Sequence, residues 1–408
     1  MIAGVPGPDL MSRLPSLRAR GSADVVAIIA RFLPHIGGAQ THLFELGRRL
    51  VRRGHSVSVL TKAAPHSPAH EIVEGITVHR FDRPKLLGGD DSFASIYEHV
   101  KSRIFEHPTV LYVFLNVGTL AQGKTIWTIR LLELAREKSI PTVVRITSSG
   151  RVSRLAREYP RGIEALRHTD CIVALNPGIQ KELRDAGVGQ SKIVFLPNGV
   201  DHNHFRPAAP TYTSPTSNGK MFLSASRLDP KKRLPDLLVL WGKYLNCLAD
   251  SNSRLRIVAQ PHDAKDTRDW LNLVEFAADA GLEHVDLVPG VAHELINRSY
   301  QNADVYITLS VEEGMSNALL EAMSTGLTVI APATDAVKPL IVDDWNGFLF
   351  DPGSLASAAV AVARVMEAPA EKLQLMKRRS LDLVRERHAA DLIAAAYSRL
   401  FNSVCSRR

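Results

Sequence analysis

From Asp24 onward, short runs of β-branched and other apolar residues alternate with amphipathic stretches whose spacing predicts helices. The strand candidates in the first half are VVAIIA, SVSVLT, ITVHRF, TVLYVFLN, TVVRI, CIVAL and KIVFLP. This rhythm predicts an α/β fold with a parallel sheet. After a cluster of Pro, Ser and Thr at residues 207 to 217, the composition of an exposed linker, a second series begins. It runs MFLSAS, RLRIVAQ, VDLVPG, DVYITLS, TVIAPAT and GFLFDP, again with helices between. The chain therefore reads as two Rossmann-like domains in series, a class in which ligands bind at the carboxyl ends of the strands. The expected divisions are a mobile tail at 1–22, an N-terminal domain at 23–206, a C-terminal domain at 207–388 and a final segment at 389–408 with a helix near 391 to 404.

The stretch SVEEGMSNALLEAMSTGLTVIAP, residues 310 to 332, sets Glu313 and Glu321 eight positions apart around Gly314 and a predicted helix start. Ser316 or Asn317 suits the N-cap of the run Ala318, Leu319, Leu320, Ala322 and Met323. The first-turn N–H groups after Gly314 and Met315 then favour an anion such as a diphosphate. Glu321, one turn further in, suits a pair of hydroxyls such as a ribose diol, and Glu313 suits sugar hydroxyls nearer a reacting bond. For either glutamate alone, an ordinary exposed carboxylate is the better reading; the whole string favours a binding role. It resembles the Glu-x7-Glu motif of retaining GT-B glycosyltransferases, family 4 in particular. That resemblance implies two Rossmann-like domains facing across a cleft, with the final helix crossing back to the first domain, and it extends over roughly residues 24 to 390.

Other segments fit the same family in the same order. RFLPHIGGAQTHLFELGRRL places Gly37 and Gly38 between a strand and a helix, where backbone can approach a ligand closely. The spacing is not that of a dinucleotide fingerprint, but it resembles the family's glycine loop over the donor diphosphate and acceptor. In SASRLDPKKRLPDLL, Arg227 follows a strand and Lys232 lies five residues on; two such cations can offset the charge that builds on a departing diphosphate. They resemble the family's Arg-x4-Lys pair, although Arg233 stands where the family usually has glycine. Lys231 reads as surface. LPNGVDHNHFRP resembles the strand-end loop leading into the second domain, with Asn198 and Gly199 toward the cleft. Gly290 and Val291, in VDLVPGVAHEL, match the loop whose backbone contacts the nucleobase.

One departure stands out. Where many relatives carry a histidine after a first-domain strand, this chain has TVVRITSSGRV at 142 to 152. Thr147, Ser148 and Ser149 offer hydroxyl donors, which do not replace an imidazole base near neutral pH. Retaining transfer does not strictly demand such a base, because the departing phosphate oxygen can take the acceptor proton on the same face. His35, beside the glycine loop, reads as incidental. No Asp-x-Asp is present, so no divalent metal is expected and the cations and helix N-terminus are assigned its work.

The 408 residues, 45% hydrophobic and 23% charged, are enough for two domains with full cores. The 50 basic against 42 acidic side chains leave +8, which suggests an anionic partner; no nucleic-acid recognition motif accompanies it. Arg48, Arg49, Arg52 and Arg53 fall at helical spacings that suit acidic lipid, but a solvated helix face explains them more simply, so peripheral membrane contact is a minor expectation. Cys171, Cys247 and Cys405 lack metal or disulfide spacing, and the first 22 residues lack a secretory apolar core; the cytoplasm is the expected compartment. The expected activity is retaining transfer of a hexose-type sugar from a nucleoside-diphosphate sugar to a glycan or lipid-linked acceptor, in bacterial surface polysaccharide synthesis. The alternatives are a nucleotide-sugar epimerase of the same fold and a non-catalytic sugar-nucleotide-binding subunit.

Overall fold

The structure, a computed structural model, describes residues 22–81, 98–99, 109–115, 124–208, 219–245, 252–261, 264–291 and 295–406. The expected tail, apart from Ser22, and the linker from residue 209 to 217 lie outside the described residues, as does Cys247. The described residues divide into two compact units: those from 22 to 199 with 390–406, and those from 200 to 389. The change of unit thus falls at 199/200, ahead of the Pro, Ser and Thr cluster.

The strands of the first unit are β1 (Asp24–Ile28), β2 (Ser56–Lys62), β3 (His70–Val73), β4 (Ile76–Phe81), β5 (Thr109–Leu115), β6 (Thr142–Ile146), β7 (Cys171–Ala174) and β8 (Ile193–Phe195). They form one sheet in the order β3-β4-β2-β1-β5-β6-β7-β8. Strands β1, β5, β6 and β7 are mostly apolar and buried, the pattern of parallel strands covered on both faces, with Arg145 of β6 a buried charged exception. The sheet departs from the expected all-parallel pattern at β3, which pairs antiparallel with β4. A two-residue turn joins them, with Glu74 and Gly75 both at positive φ, the hairpin geometry that matches strand twist. As an edge strand with Ile72 three-quarters exposed, β3 carries no apolar run to announce it.

The helix Ala390–Cys405 completes the core of this unit. Its Tyr397 and Phe401 are fully buried; the Tyr112 hydroxyl donates to that of Tyr397 at 3.2 Å, and the Phe401 ring lies 5.3 Å from that of Tyr112. Gly199 meets the start of this helix so closely that a Cβ would fall 2.8 Å from Ala390 Cα. Any larger residue would force two backbones apart.

The second unit has β9 (Met221–Arg227), β10 (Arg254–Gln260), β11 (Val285–Val288), β12 (Val305–Ile307), β13 (Thr328–Pro332) and β14 (Phe348–Phe350), in the parallel order β11-β10-β9-β12-β13-β14. Phe222, Ile257, Ile307, Ile330 and Phe348 line its core together with Leu237, Trp241, Val362 and Val365 from the covering helices. From β9 the chain first winds to β10 and β11, then returns to lay β12 on the other side of β9. The carboxyl ends of β9 and β12 therefore flank a topological switch point, where open α/β sheets bind ligands.

Candidate functional site

Strand β9 ends on Arg227, in register with Gln260 at the end of β10. The Arg227 side chain is half exposed, and its guanidinium lies 3.9 Å from the Asp229 carboxylate. Asp229 caps the single 3-10 turn Pro230–Lys232 by accepting the Lys231 N–H at 3.1 Å, so the turn is fixed at the strand end. Both lysines of the turn pair with consecutive glutamates from beyond β12: Lys231 with Glu312 at the surface, Lys232 with Glu313 where each side chain is only 17% exposed. Glu313 Oε1 also accepts the hydroxyl of buried Ser310 at 2.9 Å. Lys232 and Glu313, 81 residues apart in sequence, thus meet across the switch point.

Arg233 adopts the left-handed region at φ +54 and ψ +41, which explains why a glycine would suit this position. Its Nε donates to Asp236 at 2.6 Å, and the helix Leu234–Leu240 starts directly after it with Pro235 in its first turn.

Beyond Glu313 the chain buries Gly314 and Met315 and begins the helix Asn317–Thr325. Of the two expected caps, Ser316 takes the role: its hydroxyl accepts the Leu319 N–H at 3.3 Å. Glu321 sits one turn in and accepts the Tyr300 hydroxyl on Oε2 at 2.8 Å. Tyr300 and Tyr306 are fully buried, with ring centroids 6.2 Å apart. Burial first, then the negative charge of the neighbouring glutamates, pushes both phenols well above their ordinary range, so they remain protonated donors. On the other flank, Gly290 follows β11 at φ +86, and a Cβ there would stand 2.9 Å from Gln260 Cβ. Glycine is required on both counts, and Val291 comes directly after it. Arg227 at the end of β9, Lys232 in the turn after it, and Gly290, Val291, Glu313, Gly314, Met315, Ser316, Asn317 and Glu321 on loops or the helix start thus all sit at the carboxyl edge of one sheet.

The remaining expected residues belong to the first unit. Gly37 precedes the helix Gly38–Arg52 after β1. Its backbone, at φ 174, is extended and open to any residue, so the conformation of the turn does not demand glycine. Asn198 is buried, its Oδ1 accepting from the Arg145 guanidinium, which also donates to the Tyr397 hydroxyl. Its side chain therefore serves a network inside the first unit. In the segment lacking the family histidine, Ser148 accepts from Arg151 at 3.0 Å and Ser149 from Asn176 at 3.1 Å, while Thr147 donates to the Leu115 carbonyl at 3.3 Å. Glu182 takes the N–H groups of Gly150, Val152 and Ser153, so a carboxylate of the chain itself occupies the N-terminus of the helix Arg151–Glu158. The four arginines considered for lipid contact are matched internally: Arg48 and Arg49 by Glu45, Arg49 and Arg53 by Asp391, Arg52 by Glu74.

Among the described residues, no helix is long and apolar enough to cross a membrane, and no trio of His, Cys, Asp or Glu is grouped to hold a metal ion.

The sequence profile of Glycosyltransferase Family 4 matches residues 36–204 and that of Glycosyl transferases group 1 matches residues 213–381. The chain is a GT-B glycosyltransferase of family 4, group 1. The enzyme is 25% identical to D-inositol 3-phosphate glycosyltransferase of Geodermatophilus obscurus over 391 residues, covering 89% of this chain and 84% of that protein. It is 24% identical to the GDP-mannose:cellobiosyl-diphosphopolyprenol alpha-mannosyltransferase of Komagataeibacter xylinus, covering 94% of both. Among solved structures, sucrose-phosphate synthase from Thermosynechococcus elongatus shares the fold with a TM-score of 0.78 at 18% identity, over 95% of this chain and all of that one.

Within the site, sequence reasoning passed over Ser310, Asp229, Gln260, Tyr300 and Tyr306. Ser310 is three residues before Glu313 and its spacing offered a signal; Tyr300 and Tyr306 offered none.

Proposed function

We propose that this glycosyltransferase moves a hexose-type sugar from a nucleoside-diphosphate sugar to a glycan or lipid-linked acceptor, with retention at the anomeric carbon and without a divalent ion. Its proposed setting is bacterial surface polysaccharide synthesis in the cytoplasm. The observation that carries this reading is the convergence of Arg227 and the Lys232–Glu313 pair with Glu321 on the carboxyl edge around β9 and β12. Glu321 holds the ribose diol, the start of the helix Asn317–Thr325 receives the diphosphate, and Gly290 and Val291 present backbone to the base. Glu313 holds sugar hydroxyls. Lys232 and Arg227 act on the leaving group: the bond from anomeric carbon to phosphate oxygen breaks, a bond to the acceptor oxygen forms on the same face, and the acceptor proton passes to the departing phosphate oxygen. Cations already in place at the strand end stabilise that developing charge more than they do the ground state. The diphosphopolyprenol acceptor named for the Komagataeibacter relative supports the lipid-linked class.

A panel of nucleotide sugars assayed by nucleoside-diphosphate release, with and without EDTA, tests the proposal. Turnover that survives the chelator, with the donor's anomeric configuration kept in the product by NMR, is the expected result. Loss with EDTA and rescue by manganese would overturn the metal-free step, and an inverted product would overturn retention. Nucleotide binding without transfer or hydrolysis of any donor would favour the binding-subunit reading.

A further inference from the structure

Glu321 lies on a helix and carries three rotatable side-chain bonds, so a carboxylate meant to meet a pair of hydroxyls needs something to fix its plane. Tyr300 is placed to do this. It projects from the preceding helix, Ile296–Gln301, is fully buried, and donates its hydroxyl to Glu321 Oε2 at 2.8 Å. The ring is itself held edge-on by Phe205 at 5.7 Å and lies beside Tyr306, so the phenol has little freedom to follow the carboxylate. A buried phenol that spends its only proton on one carboxylate oxygen constrains the direction in which the other can accept.

We propose that Tyr300 is a positioning residue for nucleotide binding: its hydroxyl fixes the Glu321 carboxylate so that one oxygen stays inward on the phenol and the other is directed at the donor's ribose. The assignment rests on the proposed role of Glu321. Tyr300 does not touch the ligand; it sets the geometry of the group that does.

The test measures the affinity of the full chain for UDP, GDP and ADP by calorimetry, taking whichever binds, in the wild type, Tyr300→Phe, Glu321→Ala and the double variant. Tyr300→Phe keeps the ring and releases the Glu321 carboxylate, which must then be ordered on binding at about 0.5–1.5 kcal/mol, so a loss of up to about tenfold is expected. In the Glu321→Ala background the same substitution should change affinity less than about twofold, because the two residues act as one unit. An equal loss in both backgrounds would mean general damage and overturn the proposal, as would an unchanged affinity in Tyr300→Phe when Glu321→Ala binds weakly. If Glu321→Ala itself binds normally, the ribose assignment falls first and the positioning role with it.

Discussion

Replacing Lys232 by alanine separates a structural from a chemical use of the same ammonium. Lys232 and Glu313 are each 17% exposed, so their pair stands between a surface ion pair, worth under about 1 kcal/mol, and a deeply buried one, whose breakage costs about 3–5 kcal/mol. A loss near 2 kcal/mol follows, or a fall in melting temperature of about 4–8 °C for a unit of this size. Glu313 keeps its hydrogen bond from Ser310, which limits the damage. On turnover, removal of a cation that meets developing leaving-group charge should lower kcat by about 10²–10³, with a smaller rise in the donor KM. Differential scanning fluorimetry and nucleotide-release kinetics read the two effects separately. Adding Glu313→Ala should recover part of the stability, since the uncompensated carboxylate is then gone, and should recover none of the turnover. An effect of Lys232→Ala confined to KM would reduce Lys232 to a ground-state binding group and refute the leaving-group argument.

Glu321→Ala should weaken nucleoside-diphosphate binding by about tenfold or more, read by calorimetry, for loss of a charged acceptor; unchanged affinity would remove Glu321 from the site. Arg233→Gly should leave stability unchanged or raise it by up to about 1 kcal/mol: relief of the left-handed conformation, worth about 1–2 kcal/mol, outweighs a partly exposed pair with Asp236 and is reduced by glycine's entropy in the unfolded chain. A clear drop in melting temperature would show that the arginine does more than occupy the turn. His42, buried with its Nε2 unpartnered among the described residues, has its pKa lowered well below 6.5 by burial and then by the Arg145 charge. The unfolded chain therefore binds this proton more readily than the folded one. The stability that the neutral ring represents is present above pH 6.5 and is lost as pH falls below it, by up to about 1.4 kcal/mol per unit. Thermal melts from pH 7.5 to 5.5 should show a shallower acid slope in His42→Leu, with His55, lowered in the same direction, keeping part of it; identical slopes would exclude His42.

The apolar runs made both sheets legible, because a parallel strand covered on two faces leaves an uninterrupted signature in sequence. Edge strand β3 left none: four residues with alternating exposure carry too little pattern. The Glu313 to Glu321 string was visible because its parts lie within one loop and one helix. The Lys232–Glu313 contact was not, since only the return of the chain to β12 beside β9 joins residues 81 apart. Tyr300 shows the limit most plainly. A lone tyrosine among polar neighbours, Asn297 to Asn302, gives no sign in sequence that its ring is buried or that its hydroxyl serves a carboxylate 21 residues downstream. Gly290 was legible as a loop glycine, but its need for positive φ and for contact with Gln260 belongs to three dimensions alone.

The helix Ala390–Cys405 also orders events in time. Tyr397 and Phe401 pack on the ring of Tyr112, yet they are synthesised after residues 200–389. As the chain leaves the ribosome, residues 200–389 are present in full while the sheet begun at Asp24 still exposes the face that this helix will close. The unit that starts first therefore finishes second, and during that interval its apolar surface stands open to chaperones or to aggregation. A nascent chain halted before residue 390 should hold a protease-resistant second unit and a first unit that is digested.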